Sequence, residues 1–449
     1  MSRARHRRPI LTLILIVSVM WTIPAGAAPG DLDSTFGRGG KVITNLTVGR
    51  DSAEDVAIQA NGKIVVVGRT VGRSSGKFAL VRYRTDGHLD STFGGNGIVT
   101  TNLAKREDSA SAVAIQPDGK IVVVGTANIA ALSYVFAIAR YERDGTLDAQ
   151  FGKGGKVRLG FSAGGDDSAA DLAIQPDGKI VIVGSSYVLD MFALARLDPD
   201  GSLDTSFGGD GRVTTSVGPG ADSAQAVAIQ PDGKIVVAGE SWTLSGFDGI
   251  DVVRYEADGQ VDLAFGTDGV ATVEFTEGSD GAGDMVRAVA IQSDGKIVVA
   301  GDAGGHAEYT SGFGLARFDA DGTLDATFHG DGKIVTNFTR WDDSASDLTI
   351  GADGRIVAAG VAGYGWDSVA TFAVVRYEPD GSLDGSFGRG GKLRTRFGAI
   401  LPDGLDIVGA GASGIAIQAD GRFVVAGTAD RVADGRLDGR FAVARYRNR

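Results

Sequence analysis

One stretch of about a dozen residues occurs seven times, and it constrains this chain more than any other feature. It reads VAIQANGKIVVVG at 56–68, VAIQPDGKIVVVG at 113–125, LAIQPDGKIVIVG at 172–184 and VAIQPDGKIVVAG at 227–239. It returns as VAIQSDGKIVVA at 289–300, LTIGADGRIVAAG at 348–360 and IAIQADGRFVVAG at 415–427. A period of about 60 residues belongs to propellers and solenoids, in which one repeat is a small sheet that cannot bury its apolar faces alone.

Each repeat reads as four short strands. VAIQ and KIVVVG flank a turn whose Gly tolerates positive φ, which makes a hairpin. KIVVVG is apolar at every position, so it belongs between two neighbouring sheets. A third strand follows, as in FALVRY at 78–83. The loop D-G-x-L-D-x-x-F-G-x-x-G comes next, and a fourth strand such as IVTTN at 98–102 closes the unit. Seven such units with no helical pattern between them predict an all-β fold, a seven-bladed β-propeller of four-stranded antiparallel blades. A β-solenoid shares the period but has shorter rungs and lacks hairpin turns of this type.

The chain ends supply the ring closure. FAVARY at 441–446 is a third strand with no fourth after it. GDLDSTFGRGGKVITN at 30–45 is a loop and fourth strand with nothing before them. Joined, they complete blade seven, with residues 41–45 beside residues 441–446, so that no inner edge is left unpaired. The stretch DGRLDGRF at 434–441 echoes the loop pattern, but FAVARY fits the third-strand template and the echo is read as chance.

Residues 1–27 are set apart from the single propeller domain expected over 28–449. They hold four Arg, no acid, an apolar run and a small-residue AGA ending, the pattern of a signal peptide. Arg7 and Arg8 also permit twin-arginine export. An exported, extracellular or periplasmic protein is expected. The chain has no Cys, so disulfides, thiolate metal sites and a Cys nucleophile are absent. Its net charge is −12, and residues 1–27 carry none of the acids. That balance argues against nucleic acid or anionic lipid as partner. No membrane span is expected after residue 27, and the protein is expected to be monomeric.

AIQPDGKIVVAG, FALVRYxxDG and LDxxFGxxGKV at this spacing resemble the delta-60 repeat proteins, a family of exported bacterial β-propellers akin to NHL repeats. The resemblance covers nearly all of residues 28–449. It implies fold and export and carries no catalytic signature.

Two recurring polar positions call for partners. Arg82, Arg140, Arg196, Arg254, Arg317, Arg376 and Arg445 share a face of the third strand with apolar residues, where an unpaired charge is costly. Asp51, Asp108, Asp167, Asp222, Asp284 and Asp343 precede the first strand and are the expected bidentate partners, with Ala410 leaving blade seven without one. The sharper alternative is a ring of arginines that grips an anion. The loop residues Asp33, Asp90, Asp148, Asp204, Asp262, Asp325 and Asp384 are expected to cap tight turns, with Phe36, Phe93 and Phe151 plugging the space between blades.

In such a meander the near-identical turns share one face, and the variable connections after strands two and four share the other. Trp242, Tyr309, Trp341, Tyr364 and Trp366 fall in the variable connections of blades four to six, outside the predicted core strands. They suggest a stacking platform for a sugar, a peptide or a protein partner, against the plainer reading that each packs on its own loop. Glu277 and Asp280 lie beside them on a Gly-rich loop. They suit sugar binding, and calcium is the one metal left open; no cofactor is otherwise expected. His88, His306 and His329 are the only histidines after residue 27, too few for a multi-His metal centre. The leading expectation is a binding or interaction scaffold with its site on the variable face of blades four to six. The alternative is an extracellular carboxylate-dependent hydrolase or lyase that acts on a glycan there.

Overall fold

A computed structural model describes residues 28–448 apart from 48, 73–74, 132, 163, 244–245, 276–282, 305–310, 365–368, 399–406 and 434–435. It consists of seven four-stranded antiparallel sheets, with no helix among the described residues. The first blade is built from Asp51–Ile58, Ile64–Val71, Gly76–Tyr83 and Ile98–Thr101. The next five follow in the same order to Thr395. Blade seven takes Ile407–Ile417, Phe423–Ala433 and Arg436–Tyr446 from one end of the chain and Lys41–Thr44 from the other.

Ring closure is as the two half-motifs demand. Lys41 pairs with Ala444 and Thr44 with Phe441. Amide bonds from Gly30 to the Arg447 carbonyl and from Asp33 to the Arg445 carbonyl, both 2.8 Å, extend the join. Residues 436–439 prolong the third strand opposite 430–433, so the loop echo there is strand.

The second strands are buried from end to end in their first five residues, as their unbroken apolar run requires. Every first strand carries a β-bulge, between Ala53 and Asp55 in blade one and between Ala412 and Gly414 in blade seven. The bulge presses the backbone onto the glycine that ends KIVVVG. A Cβ on Gly68 would stand 2.0 Å from the Ser52 carbonyl oxygen, so no other residue fits.

The recurring arginines are buried, and their partner differs from the expected one. In all seven blades Nε donates to the aspartate of the LD loop, at 2.6–2.9 Å: Arg82 to Asp90, Arg376 to Asp384 and, across the chain ends, Arg445 to Asp33. The guanidinium stacks at 4.5–4.7 Å over the loop phenylalanine, which is fully buried. Nη1 donates to a carbonyl of the following blade, Arg82 to Arg143, Arg376 to Asn448 and Arg445 to Thr85. The arginines therefore staple blade to blade around the whole circle and none is left to grip an anion.

Asp51, Asp108, Asp167, Asp222, Asp284 and Asp343 do something else. Asp51 accepts the amides of Leu46 and Thr47, and Asp343 those of Phe338 and Gly363. They hold the variable connections. The direction of the strands explains the difference. First and third strands run the same way, so an aspartate that starts the first lies at the opposite face from an arginine that ends the third. The LD loop begins right after that arginine. Ala410 removes a connection clasp from blade seven and leaves its arginine pair intact.

Candidate functional site

A cavity of about 640 Å³ lies on the propeller axis, lined by the first strands of all seven blades. The bulge creates it. Two residues on the bulged strand face one on its neighbour, so side chains that plain alternation would hide turn toward the axis. The bulged position reads Glu54, Ser111, Ala170, Gln225, Arg287, Ser346 and Ser413 in successive blades, five residue types in an otherwise repetitive chain.

The next position is an aspartate in three blades. Asp55 accepts the Val113 amide at 2.8 Å, Asp171 the Val227 amide at 2.8 Å and Asp347 the Ile415 amide at 2.7 Å. Each carboxylate thus clasps the first strand of the following blade, where the matching residue is Ala112, Ala226 or Gly414 and leaves room for it. Burial raises all three above the usual carboxylate range, against the pull of the amides. The charges of Asp347 and Asp171 push Asp55 further, and Asp171 stands at about 6.

Behind the wall of blades four to six is a second polar group. Gln225 donates to Glu240 at 2.9 Å, the Ser344 hydroxyl donates to Asp302, and Arg287 lies 3.8 Å from Asp302. Burial lifts Glu240 to about 7, opposed by Gln225, Arg287 and the Val286 amide and helped by the charge of Asp302.

The acids of the LD loops shift the other way. Burial works to raise Asp148, but Lys120, the Gln150 amide and Arg140 outweigh it and hold the group near 2. Linkage then predicts a maximum in stability. The LD-loop acids give stability that is present above about pH 4 and is lost as pH falls toward 2. The axial acids bind more protons folded than unfolded between about pH 4 and 6, so their contribution falls as pH rises through that window. Thermal melts from pH 3 to 8 should peak between pH 4 and 6. Asp171→Asn removes the titration but keeps an oxygen for only one of the two amides it binds, Val227 and Leu172, so the variant should melt below wild type at pH 4 and the difference should shrink as pH rises to 8. A variant curve parallel to that of wild type would contradict the assignment.

The expected aromatic platform is only partly on view. Trp242 ends a second strand longer than the sequence suggests, Ile235–Thr243, and is 44% exposed. Trp341 is half-buried beneath Arg340, 5.1 Å from ring centre to guanidinium carbon. Blade five separates the two. Tyr364 ends the strand Ile356–Tyr364 opposite Asp342, with its side chain outside the described residues. Tyr309, Trp366, Glu277 and Asp280 also lie outside them. No three acidic or histidine side chains are grouped to hold a metal ion among the described residues. No helix there is long and apolar enough to cross a membrane. The axial residues escaped the sequence reading, although the variable position after DSA was a visible signal.

Among solved structures, the chain is similar to a virginiamycin B lyase from Staphylococcus aureus, with 10% identity, 90% of this chain and 98% of that one covered, and a TM-score of 0.48. A gluconolactonase from Xanthomonas campestris shares 18% identity over 75% of this chain and 95% of that one, with a TM-score of 0.38. An α-L-arabinanase from Penicillium chrysogenum shares 12% over 78% and 98%, with a TM-score of 0.43. No curated protein matches the chain. A β-propeller family described as a domain of unknown function, DUF5122, matches at residues 59–93, 116–151, 175–207, 230–265, 292–328 and 351–387. Each match runs from the end of the first strand to the loop phenylalanine, so it covers the scaffold and stops short of the bulge. Six such matches on successive blades, set in a seven-bladed ring, show that the chain belongs to the DUF5122 β-propeller family.

Proposed function

We propose that this is an exported binding module that takes a hydroxyl-rich ligand, a glycan end, in the axial cavity on the side of the variable connections. Blades four to six supply the polar contacts, with Trp242 and Trp341 on the connections around them. The observation that carries the reading is the bulged position. The scaffold repeats, while the residue at the bulged position varies around the ring among five types, most of them polar. Such groups pair with sugar hydroxyls, and concave polar surfaces on a rigid frame are where ligands bind. Export rests on residues 1–27.

A screen of neutral tetrasaccharides (cellotetraose, maltotetraose, mannotetraose and chitotetraose) by calorimetry tests this. Ser346→Trp fills the cavity from a position that makes none of the described inter-blade bonds. At least one sugar should bind wild type, and the variant should bind it at least ten-fold more weakly. No binding, or binding indifferent to Ser346→Trp, would overturn the proposal.

A second reading, a carboxylate-dependent hydrolase or lyase, is favoured by Glu240 standing near neutrality close to Asp302, the situation of a general acid. Turnover of a bound sugar that is lost in Asp302→Asn would establish it; intact sugar after prolonged incubation would remove it.

A further inference from the structure

One side chain in the axial wall is out of keeping with the rest. Four acids line the cavity, Glu54, Asp55, Asp171 and Asp347, together with a single cation, Arg287. Both oxygens of each aspartate are engaged by the backbone. Asp55 accepts from Val56 at 2.6 Å and Val113 at 2.8 Å, Asp171 from Leu172 at 2.7 Å and Val227 at 2.8 Å, and Asp347 from Leu348 and Ile415, both at 2.7 Å. Glu54 lies on blade one, with Arg69 as its charge partner.

Arg287 is held far more loosely than the seven stapling arginines, whose Nε bonds measure 2.6–2.9 Å. Among the described residues its side chain makes one hydrogen bond, from Nη2 to the Met285 sulfur at 3.3 Å, a weak acceptor. The Asp302 carboxylate stands 3.8 Å away and already accepts from the Ser344 hydroxyl. The Arg287 side chain is 41% exposed. A guanidinium carries five donors in a planar fork, so Arg287 brings several unused donors to the cavity wall. Burial raises the three aspartates above the usual carboxylate range, which lessens their repulsion of an anion.

We infer that the axial site prefers acidic glycan ends, with the Arg287 guanidinium binding the carboxylate of a uronic acid through a two-bond fork. The inference rests on the proposed glycan site and names the sugar class it favours. Gln225 of blade four and Ser346 of blade six flank Arg287 in ring order, an amide and a hydroxyl for the hydroxyls of the same sugar.

The test pairs each of the four tetrasaccharides with a counterpart whose non-reducing sugar carries a carboxylate at C6 in place of the hydroxymethyl group. On wild type, calorimetry should give at least ten-fold tighter binding for the acidic member of a pair that binds. On Arg287→Gln the two members should bind alike. Arg287→Lys keeps the charge without the fork and should retain only part of the preference. The ratio within a pair reports the carboxylate contact itself, since a general loosening of the cavity weakens both members together. A neutral sugar that binds wild type as tightly as its acidic counterpart, or a preference that persists in Arg287→Gln, would overturn the role of Arg287 and leave the glycan site standing. Absence of binding by all eight sugars would overturn both.

Discussion

A chain that begins at residue 46 should be less stable than one that begins at residue 28 by on the order of 5 kcal/mol, should melt at a lower temperature and should associate in solution. The loss is large for three separate reasons. Residues 41–44 cover the outer edge of blade seven, and without them the edge from Phe441 to Ala444 is open to another chain. Phe36, fully buried, leaves a hole under Arg445. Asp33 takes away the carboxylate of a buried pair, so Arg445 keeps its charge with no counterion in the loop. The bond from Thr44 to the Tyr83 hydroxyl, 2.7 Å, also joins blade seven to blade one and goes with the strand. Calorimetry with light scattering checks this. An equal melting temperature and a monodisperse peak would mean that the ring does not depend on the join.

Arg376→Ala should cost about 3–5 kcal/mol, far more than removal of a surface ion pair. The side chain is almost wholly buried and binds three different things: Asp384 through Nε at 2.7 Å, the Asn448 carbonyl of the next blade at 2.9 Å and the face of Phe387. Truncation leaves the buried Asp384 carboxylate with only the half-buried Arg355, 3.2 Å away, as its counterion and opens a void above the ring. Asp343→Ala, which removes the partner that sequence spacing suggests, should leave the arginine pair untouched and loosen only the connections at Phe338 and Gly363. Denaturant melts of the two variants separate the schemes. An Arg376→Ala protein as stable as wild type would show that the staple contributes nothing.

How far the sequence could be read follows from what local patterns encode. Blade number, strand order and the closure of residues 41–44 onto 441–444 were legible, because apolar runs and turn residues act within a few positions of one another. The partner of the recurring arginine was misread. Two aspartates recur with equal regularity, and spacing does not say which lies at the same end of the sheet; strand direction does. The axial site was missed because a bulge breaks the period-two alternation that assigns faces. Glu54 and Asp55 therefore face the cavity although plain alternation places neighbours on opposite sides. Of the aromatics on the variable connections, Trp242 is 44% exposed and Trp341 is covered by Arg340.

A crystal structure with the best-binding tetrasaccharide tests the central claim most directly. The account predicts sugar density on the propeller axis, within hydrogen-bond distance of Gln225 and Arg287. Density confined to the outer connections, with the axial cavity holding only solvent, would contradict it.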